Sequence, residues 1–304
     1  MATTSGGSAS ESSATPALRR RVEGLRVVRD LPWRHTRDPW RILVAEFCCQ
    51  QTQVGRAADV YGRFCDRFES PASCARAPLR DVLDVWRGLG YYRRAGYLHR
   101  AAGQIVDRHR GSVPEDLDSL LALPGVGAYT ARAVLAFAFE RDVAVVDTNV
   151  RRILSRAAAN RSLSVAEAQH LADDIVSPGT GWRHNQALLD LGAMHCSAVP
   201  NCSGCPLRPA CAWRRSGIEA DPGAGPRGAG RQSAFVGSDR QGRGRILAAA
   251  LDGPVRTAQL AGLSGWPDDP DRALRVANEM ADEGLLEFGR GAFSAPRTVA
   301  SERT

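Results

Sequence analysis

Apolar residues recur at three- and four-residue intervals through most of the chain from Ala17 to Trp213, with short polar breaks between the runs. That spacing predicts helices over 18–29, 40–56, 57–68, 78–86, 93–110, 116–122, 128–139, 148–159, 165–176 and 182–194. Ser164 is placed to cap the helix at 165, and Gly111 to end the one at 110. No series of alternating positions points to a sheet in this stretch. Residues 214–235 are rich in Gly, Pro, Arg and Ser and read as a linker. Beyond it, 240–251, 257–263 and 271–283 predict three short helices. The runs 285–288 and 292–294 flank Gly289-Arg290-Gly291 as a hairpin. Three helices and a hairpin make a small winged-helix-like module over 236–296. Residues 1–16 and 297–304 read as disordered tails.

Composition sharpens this picture in one respect. The chain has 304 residues, 40 of them basic and 33 acidic, for a formal charge of +7. Every basic residue is an arginine. No lysine can form a Schiff base, and no phosphate loop ending in Gly-Lys exists. An arginine-borne excess suits a phosphate-rich partner such as DNA; GC-rich coding would also produce it, so charge leaves the function open. The longest apolar runs fall far short of the ~20 residues that span a bilayer. Residues 1–16 lack the apolar core of a secretory signal. A cytoplasmic, nucleoid-associated protein with reduced thiols is expected.

Four of the eight cysteines crowd together: Cys196, Cys202, Cys205 and Cys211. Four thiolates in one short irregular loop are the ligand set of a [4Fe–4S] cluster or of a tetrahedral zinc, and spacing alone does not choose.

The run from Leu120 to Ala131 reads as a helix, a turn bracketed by Gly125 and Gly127, and a second helix. Such a hairpin can offer a helix start to a DNA phosphate, though Pro-Gly-x-Gly also makes ordinary helix connections. About twenty residues later, the apolar run 143–146 delivers Asp147 to the start of a helix. It reads as an N-cap, and an ionised cap suits a group that faces developing positive charge. Glu46 lies at the edge of a stripe formed by Leu43, Phe47, Gln50 and Val54. A carboxyl beside apolar surface tends to stay protonated as an acid, whereas an isolated helical Glu is most often a solvated charge.

These blocks together resemble the adenine DNA glycosylases of the MutY type, in the helix-hairpin-helix–Gly/Pro–Asp superfamily of base-excision enzymes. The resemblance runs through Leu31-Pro32-Trp33-Arg34, Glu46 with Gln50-Gln51-Thr52-Gln53-Val54, Gly88-Leu89-Gly90-Tyr91-Tyr92, Leu123-Pro124-Gly125-Val126-Gly127, Val146-Asp147-Thr148-Asn149-Val150, Leu191-Gly192-Ala193-Met194 and the cysteine loop. It covers about residues 20–213. It implies an all-α, two-lobed glycosylase over 17–213, with a six-helix lobe about 46–147 and an iron–sulfur lobe from 17–45 and 148–213. The implied reaction is hydrolytic removal of adenine mispaired with 8-oxoguanine or guanine, on a base extruded from double-stranded DNA by a monomeric enzyme.

In that resemblance Glu46 matches the acid that protonates adenine N7. Asp147 matches the carboxylate beside the oxocarbenium-like sugar, and Asn149 its hydrogen-bond partner. Tyr129 stands where adenine glycosylases carry Tyr or Ser and strand-cleaving relatives carry a lysine nucleophile. Trp33, Arg34 and Gln186 match the adenine pocket. Gln50, Gln51 and Tyr91 match the wedge around the opposite base. Gly125 and Gly127 form the hairpin, whose backbone carbonyls in the family also hold a monovalent cation. The four cysteines match a [4Fe–4S] loop.

Three features depart from the family pattern. The first cysteine gap is one residue short. Cys48-Cys49 replace the usual Met-Leu. The 236–296 module is too short and differently patterned for the usual domain that checks 8-oxoguanine. Two other readings stay in view: a thymine- or uracil-mismatch glycosylase on the same scaffold, and a non-catalytic DNA-binding protein. A bifunctional lyase is disfavoured by Tyr129 and the lack of lysine.

Overall fold

The computed structural model describes residues 11–224 and 234–296. Its helices in chain order are α1 (Glu11–Glu23), α2 (Pro39–Cys49), α3 (Val54–Arg67), α4 (Pro71–Arg76), α5 (Leu79–Val85), α6 (Arg93–His109), α7 (Leu117–Leu121) and α8 (Ala128–Phe137). There follow α9 (Thr148–Leu154), α10 (Val165–Ile175), α11 (Gly181–Met194), α12 (Ala212–Ser216), α13 (Asp239–Asp252), α14 (Leu260–Ser264) and α15 (Pro270–Asp282). Three short strands complete it: β1 (Val255–Arg256), β2 (Glu287–Gly289) and β3 (Ala292–Ser294).

Local chemistry sets most of the helix starts. Asp38 caps α2 by accepting from the N–H groups of Trp40 and Arg41 at 2.8 and 3.1 Å, with Pro39 at the first helical position. Ser70 and Ser73 form a reciprocal cap on α4, and Ser164 with Glu167 does so on α10. Asp116, Asp147, Ser238 and Asp269 cap α7, α9, α13 and α15. Helix α6 closes on Arg110 and Gly111, both left-handed.

The described residues form two compact units. Among them, one joins the described residues up to 37 to those from 128 to 224, the other 38–127 to 234–296. The first has a core in which Leu18 and Val22 of α1 meet Ile153, Leu154, Leu188, Leu191 and Trp213. The second packs Trp40, Phe68 and Trp86 around Phe64. Indole N–H groups are satisfied there by the carbonyls of Phe68 (2.9 Å) and Gly90 (3.2 Å). In the C-terminal module, α13–α15 pack on an antiparallel sheet of order β1-β3-β2, with Val255 opposite Phe293 and Phe288 opposite Phe293 on the other side. The winged-helix-like expectation for 236–296 thus gains a third strand too short to leave a sequence pattern.

Several boundaries differ from the sequence expectation. The N-terminal tail, expected through residue 16, gives way to helix at Glu11; residues 1–10, 225–233 and 297–304, which include the C-terminal tail and much of the linker, lie outside the described residues. Once Leu18 and Val22 anchor α1, propagation toward its start adds one hydrogen bond per residue. The same helix stops at Glu23 rather than 29, because the backbone N–H groups of Val28 and Arg29 donate to Asp190 at 2.7 and 3.0 Å. The start of the expected linker is ordered: Ala212–Ser216 is helical and Asp221 binds Arg156. The expected lobe 46–147 is not the observed unit, which ends at Gly127 and includes the C-terminal module. Helix 40–56 breaks at Cys49 for a reason that bears on the site.

Candidate active site

Glu46 sits in the last full turn of α2 and is buried, at 7% exposure. Its neighbours on the helix, Leu43 and Phe47, are fully buried. A solvated surface carboxylate is therefore excluded. Past Cys49 the chain leaves the helix, and Arg94 of α6 explains the break. Its guanidinium donates to the carbonyls of Phe47 (2.9 Å), Cys48 (3.1 Å) and Gln50, acceptors that a continued α2 would have given to residues four further on. It also reaches Thr52 Oγ1 (3.0 Å) and the carbonyl of Gly90 (3.1 Å). Burial lowers the pKa of Arg94, and carbonyl dipoles rather than a carboxylate satisfy these donors.

The clamp joins the two loops that the sequence assigned to the wedge. Gln51 and Tyr91 both hold left-handed backbone, with φ of 55° and 49°. Non-glycine residues in that region cost on the order of 1 kcal/mol or more and tend to mark functional loops. In the same unit, Gly125 at the hairpin turn has φ of 78°, and a Cβ there would lie 2.7 Å from Cβ of Tyr97 and 2.9 Å from the Phe47 ring. Only glycine fits that turn. The chain then passes through Gly127 directly into α8, whose start carries the positive end of its dipole.

The other unit holds Asp147, Asn149, Tyr129, Trp33, Arg34, Gln186 and the cysteines. Asp147 caps α9: Oδ1 accepts from the Val150 N–H at 2.7 Å and Oδ2 from Asn149 Nδ2 at 2.8 Å. Asn149 Oδ1 accepts from Arg152 at 2.6 Å, and Arg152 Nε donates to the carbonyl of Cys196 at 2.9 Å. A continuous hydrogen-bonded chain thus links the carboxylate to the cysteine loop. Tyr129 is half-buried in the first turn of α8.

Helix α11 scaffolds this constellation, and sequence reasoning missed most of how. Asn185 accepts from Val145 N–H and donates to the Val143 carbonyl, both at 2.8 Å, and so fixes the extended run leading to Asp147. A Cβ on Gly192 would lie 2.7 Å from Cβ of Asn149, so glycine there lets α11 touch α9. A Cβ on Gly181 would meet the Arg141 carbonyl at 2.2 Å. The intervals of four and seven residues among Gly181, Asn185 and Gly192 place all three on one helical face, a signal the sequence did carry. Asp190 takes both arms of Arg34, at 2.7 and 3.0 Å, and Arg29 Nε at 2.5 Å. Burial alone would raise the Asp190 carboxyl; the Arg34 guanidinium, the Val28 N–H and Arg29 hold it well below the usual carboxylate range. Arg34, expected to line the base pocket, is thus locked inside its own unit. Trp33 and Gln186 are buried as well.

The four loop cysteines line one cavity together with Leu207, Trp213 and Arg156. Arg156, 1% exposed in the π turn that continues α9 (Ser155–Ala159), donates to Cys196 Sγ at 3.4 Å and to the Ser197 carbonyl at 2.7 Å. Asp221 balances its charge through Nε at 2.8 Å and Nη2 at 2.5 Å. Arg214 Nε approaches Cys202 Sγ at 3.1 Å. Among the described residues no three His, Cys, Asp or Glu side chains converge on a single-ion position.

Residues 44–178 match the model of the HhH-GPD superfamily base excision DNA repair proteins. Over 266 residues the chain is 40% identical to the adenine DNA glycosylase of Mycolicibacterium smegmatis, spanning 85% of this chain and 88% of that one. The chain belongs to the MutY-type branch of that superfamily. A second relative in the branch, the adenine DNA glycosylase of Mycobacterium tuberculosis strain H37Rv, is 40% identical over 277 residues, 88% of this chain and 89% of its own. A match that stopped at Cys211 could not reach such coverage, so the likeness continues into the C-terminal module. Among solved structures, a thermostable thymine-DNA glycosylase superposes with a TM-score of 0.63 at 27% identity, covering 67% of this chain and 98% of that one. A trapped endonuclease III–DNA covalent intermediate gives 0.58 at 26% identity, covering 66% and 97%. The MutY-type chain is a DNA glycosylase with the helix-hairpin-helix fold. No described helix is long and apolar enough to cross a membrane.

Proposed function

We propose that the enzyme hydrolyses the N-glycosidic bond of adenine mispaired with 8-oxoguanine or guanine in double-stranded DNA, as a monomer, and leaves the strand uncut. The observation that carries this reading is the burial of Glu46. A carboxyl held at 7% exposure among Leu43 and Phe47 has the setting of a proton donor. Glu46 protonates the extruded adenine at N7, so the base departs neutral while its C1′–N9 bond breaks. Asp147, fixed by the Val150 N–H and Asn149, faces the positive charge that develops on the sugar. Water adds to C1′ and loses its proton. Tyr129 replaces the lysine that lyase chemistry requires, and the chain has no lysine to substitute for it.

Cys196, Cys202, Cys205 and Cys211 would hold a [4Fe–4S] cluster. The donor set fits: four thiols surround a cavity rather than a point, and two guanidinium groups aim at sulfur, as anionic thiolates require. The cluster's chemistry there is to cross-link a loop that has no regular ladder. At the hairpin, the Leu123 carbonyl accepts from Val126 N–H at 3.1 Å and keeps a second lone pair for a monovalent cation.

Single-turnover assays on duplexes carrying A:8-oxoG, A:G and T:G test the reading. Excision from the two adenine duplexes is expected, with strand scission only after hot alkali. A second reading, thymine-mismatch excision, draws on the superposition with the thymine-DNA glycosylase. Release of base from T:G alone would decide for it.

A further inference from the structure

Arg152 and Arg156 stand one turn apart on α9 and its π-turn continuation, and both reach Cys196. Arg152 Nε donates to the Cys196 carbonyl at 2.9 Å, and Arg156 Nη1 to its sulfur at 3.4 Å. Arg156 also donates to the carbonyls of Ser197 (2.7 Å) and Ala198 (3.3 Å). One guanidinium therefore holds both the sulfur and the backbone where the cysteine loop begins. Two cations this close repel, and Arg156 is buried, so without a counter-ion its charge would be costly.

The counter-ion comes from beyond the last cysteine. After Cys211 the chain turns through α12, where the Trp213 ring centre lies 5.4 Å from the Arg156 guanidinium and its indole N–H donates to the Ile218 carbonyl at 2.9 Å. Asp221 then accepts from Nε and Nη2 of Arg156 at 2.8 and 2.5 Å. With the three contacts to the loop, all five N–H donors of that guanidinium have an acceptor. A bidentate carboxylate fixes the guanidinium plane, and with it the direction in which Nη1 meets sulfur. Gly223 closes the arrangement. Its N–H donates to Asp221 Oδ1 at 2.8 Å, and a Cβ there would lie 2.6 Å from Arg156 Nε and 2.7 Å from Arg152 Cγ. The Asp221-Pro222-Gly223 segment thus seats on both arginines that bond to Cys196, and glycine is what permits the approach.

We propose that Asp221 is a positioning residue for the cysteine loop: with Gly223 it latches the segment after Cys211 onto Arg156, aims that guanidinium at the Cys196 sulfur, and so sets how firmly the cluster is retained and what charge it senses. The inference rests on the proposed [4Fe–4S] cluster at the four cysteines. Hydrogen bonds and net charge beside the sulfurs tune a cluster's potential, and partners behind the ligands govern its retention.

The test compares full-length wild type, purified with its cluster, with Asp221→Asn, Gly223→Ala and Ile175→Ala. Asparagine keeps the shape and removes the charge. Alanine at 223 keeps every charge and pushes the segment off Arg156. Ile175→Ala loosens the core of the same unit on α10 and leaves the latch alone. Bleaching of the visible absorbance by an iron chelator in air, reduction potential and thermal midpoint would be measured on each. Both latch variants should bleach about ten-fold faster than wild type. Their potential should shift upward, because Arg156 loses its counter-charge beside the sulfur. Ile175→Ala should lower the thermal midpoint and leave the potential in place. If Asp221→Asn does not accumulate with a cluster, the Gly223→Ala result decides. An unshifted potential in the latch variants, or bleaching that merely follows the thermal midpoint across all three, would overturn the proposal. A wild type that holds zinc or no metal would instead sink the cluster reading itself.

Discussion

Glu46 and Asp147 carry the same functional group in opposite settings. Glu46 lies in the last turn of α2, buried, in the unit built around Phe64 and Trp86. Asp147 lies at the start of α9 in the other unit, half-exposed, with both oxygens accepting N–H bonds. Burial keeps water from Glu46, whereas N–H donors at a helix start hold both oxygens of Asp147. The difference teaches that placement along a helix, inside it or at its cap, gives two carboxyls different surroundings.

The strongest way to break this contrast is to replace each carboxyl with its amide, keeping its shape. Glu46→Gln should lower single-turnover excision by ~10²–10⁴-fold with DNA affinity nearly intact; an unchanged rate would remove Glu46 from the chemistry. Asp147→Asn is sharper still, because asparagine caps a helix as well as aspartate does. If Asp147 serves only as a cap, rate and thermal stability both survive. The expected result is unchanged stability with a loss of roughly 10²–10³-fold in rate.

A smaller effect should follow from Gly192→Ala. The new methyl would fall 2.7 Å from Cβ of Asn149, so α9 and α11 must separate and Asn149 must shift against Asp147. Excision should fall about ten-fold, and unfolding should ease by about 1–3 kcal/mol from overpacking. Normal kinetics in that variant would show that the Asn149–Asp147 geometry tolerates displacement.

The mildest perturbation is pH, and it separates the units by stability. Burial pushes His184 of α11 down to about 4, against the opposing pull of Glu23. The folded state therefore favours neutral His184, while the unfolded chain takes up a proton near pH 6.5. The stabilisation is present above about pH 6.5 and is lost as pH falls toward 4. The depressed Asp190 carboxyl on the same helix acts in the same direction at lower pH. Thermal scans between pH 7 and pH 4 should show the His184 unit weakening first, and His184→Phe should flatten that dependence. A midpoint indifferent to pH over this range would contradict the buried neutral imidazole.

Much of the local structure around these residues was legible in the sequence. Asp147, Ser164 and the Gly125–Gly127 hairpin announce themselves because caps and turns are satisfied within three or four residues. The helical period also exposed most elements. It failed at 50–53, where Arg94 draws the carbonyls of α2 away from their helical partners, and at Pro71–Arg76, a helix too short to show a period. With arginine as the sole basic side chain, composition could not say which guanidinium groups turn inward. Arg34, Arg94 and Arg156 are buried, while Arg93 and Arg100 beside them in sequence or on the same helix stay exposed.

The sequence alone determined the helices, their caps, the lysine-free chemistry and the set of four clustered thiols, because each depends on neighbours close in the chain. The tertiary structure alone decided that Arg94 pins the Gln50–Thr52 loop, that α11 reaches Asn149 through Gly192, and that α13 lays Arg240 on Tyr91. Those pairings join residues dozens to more than a hundred positions apart. Their partners are fixed by how the cores close, which no local pattern of side chains encodes.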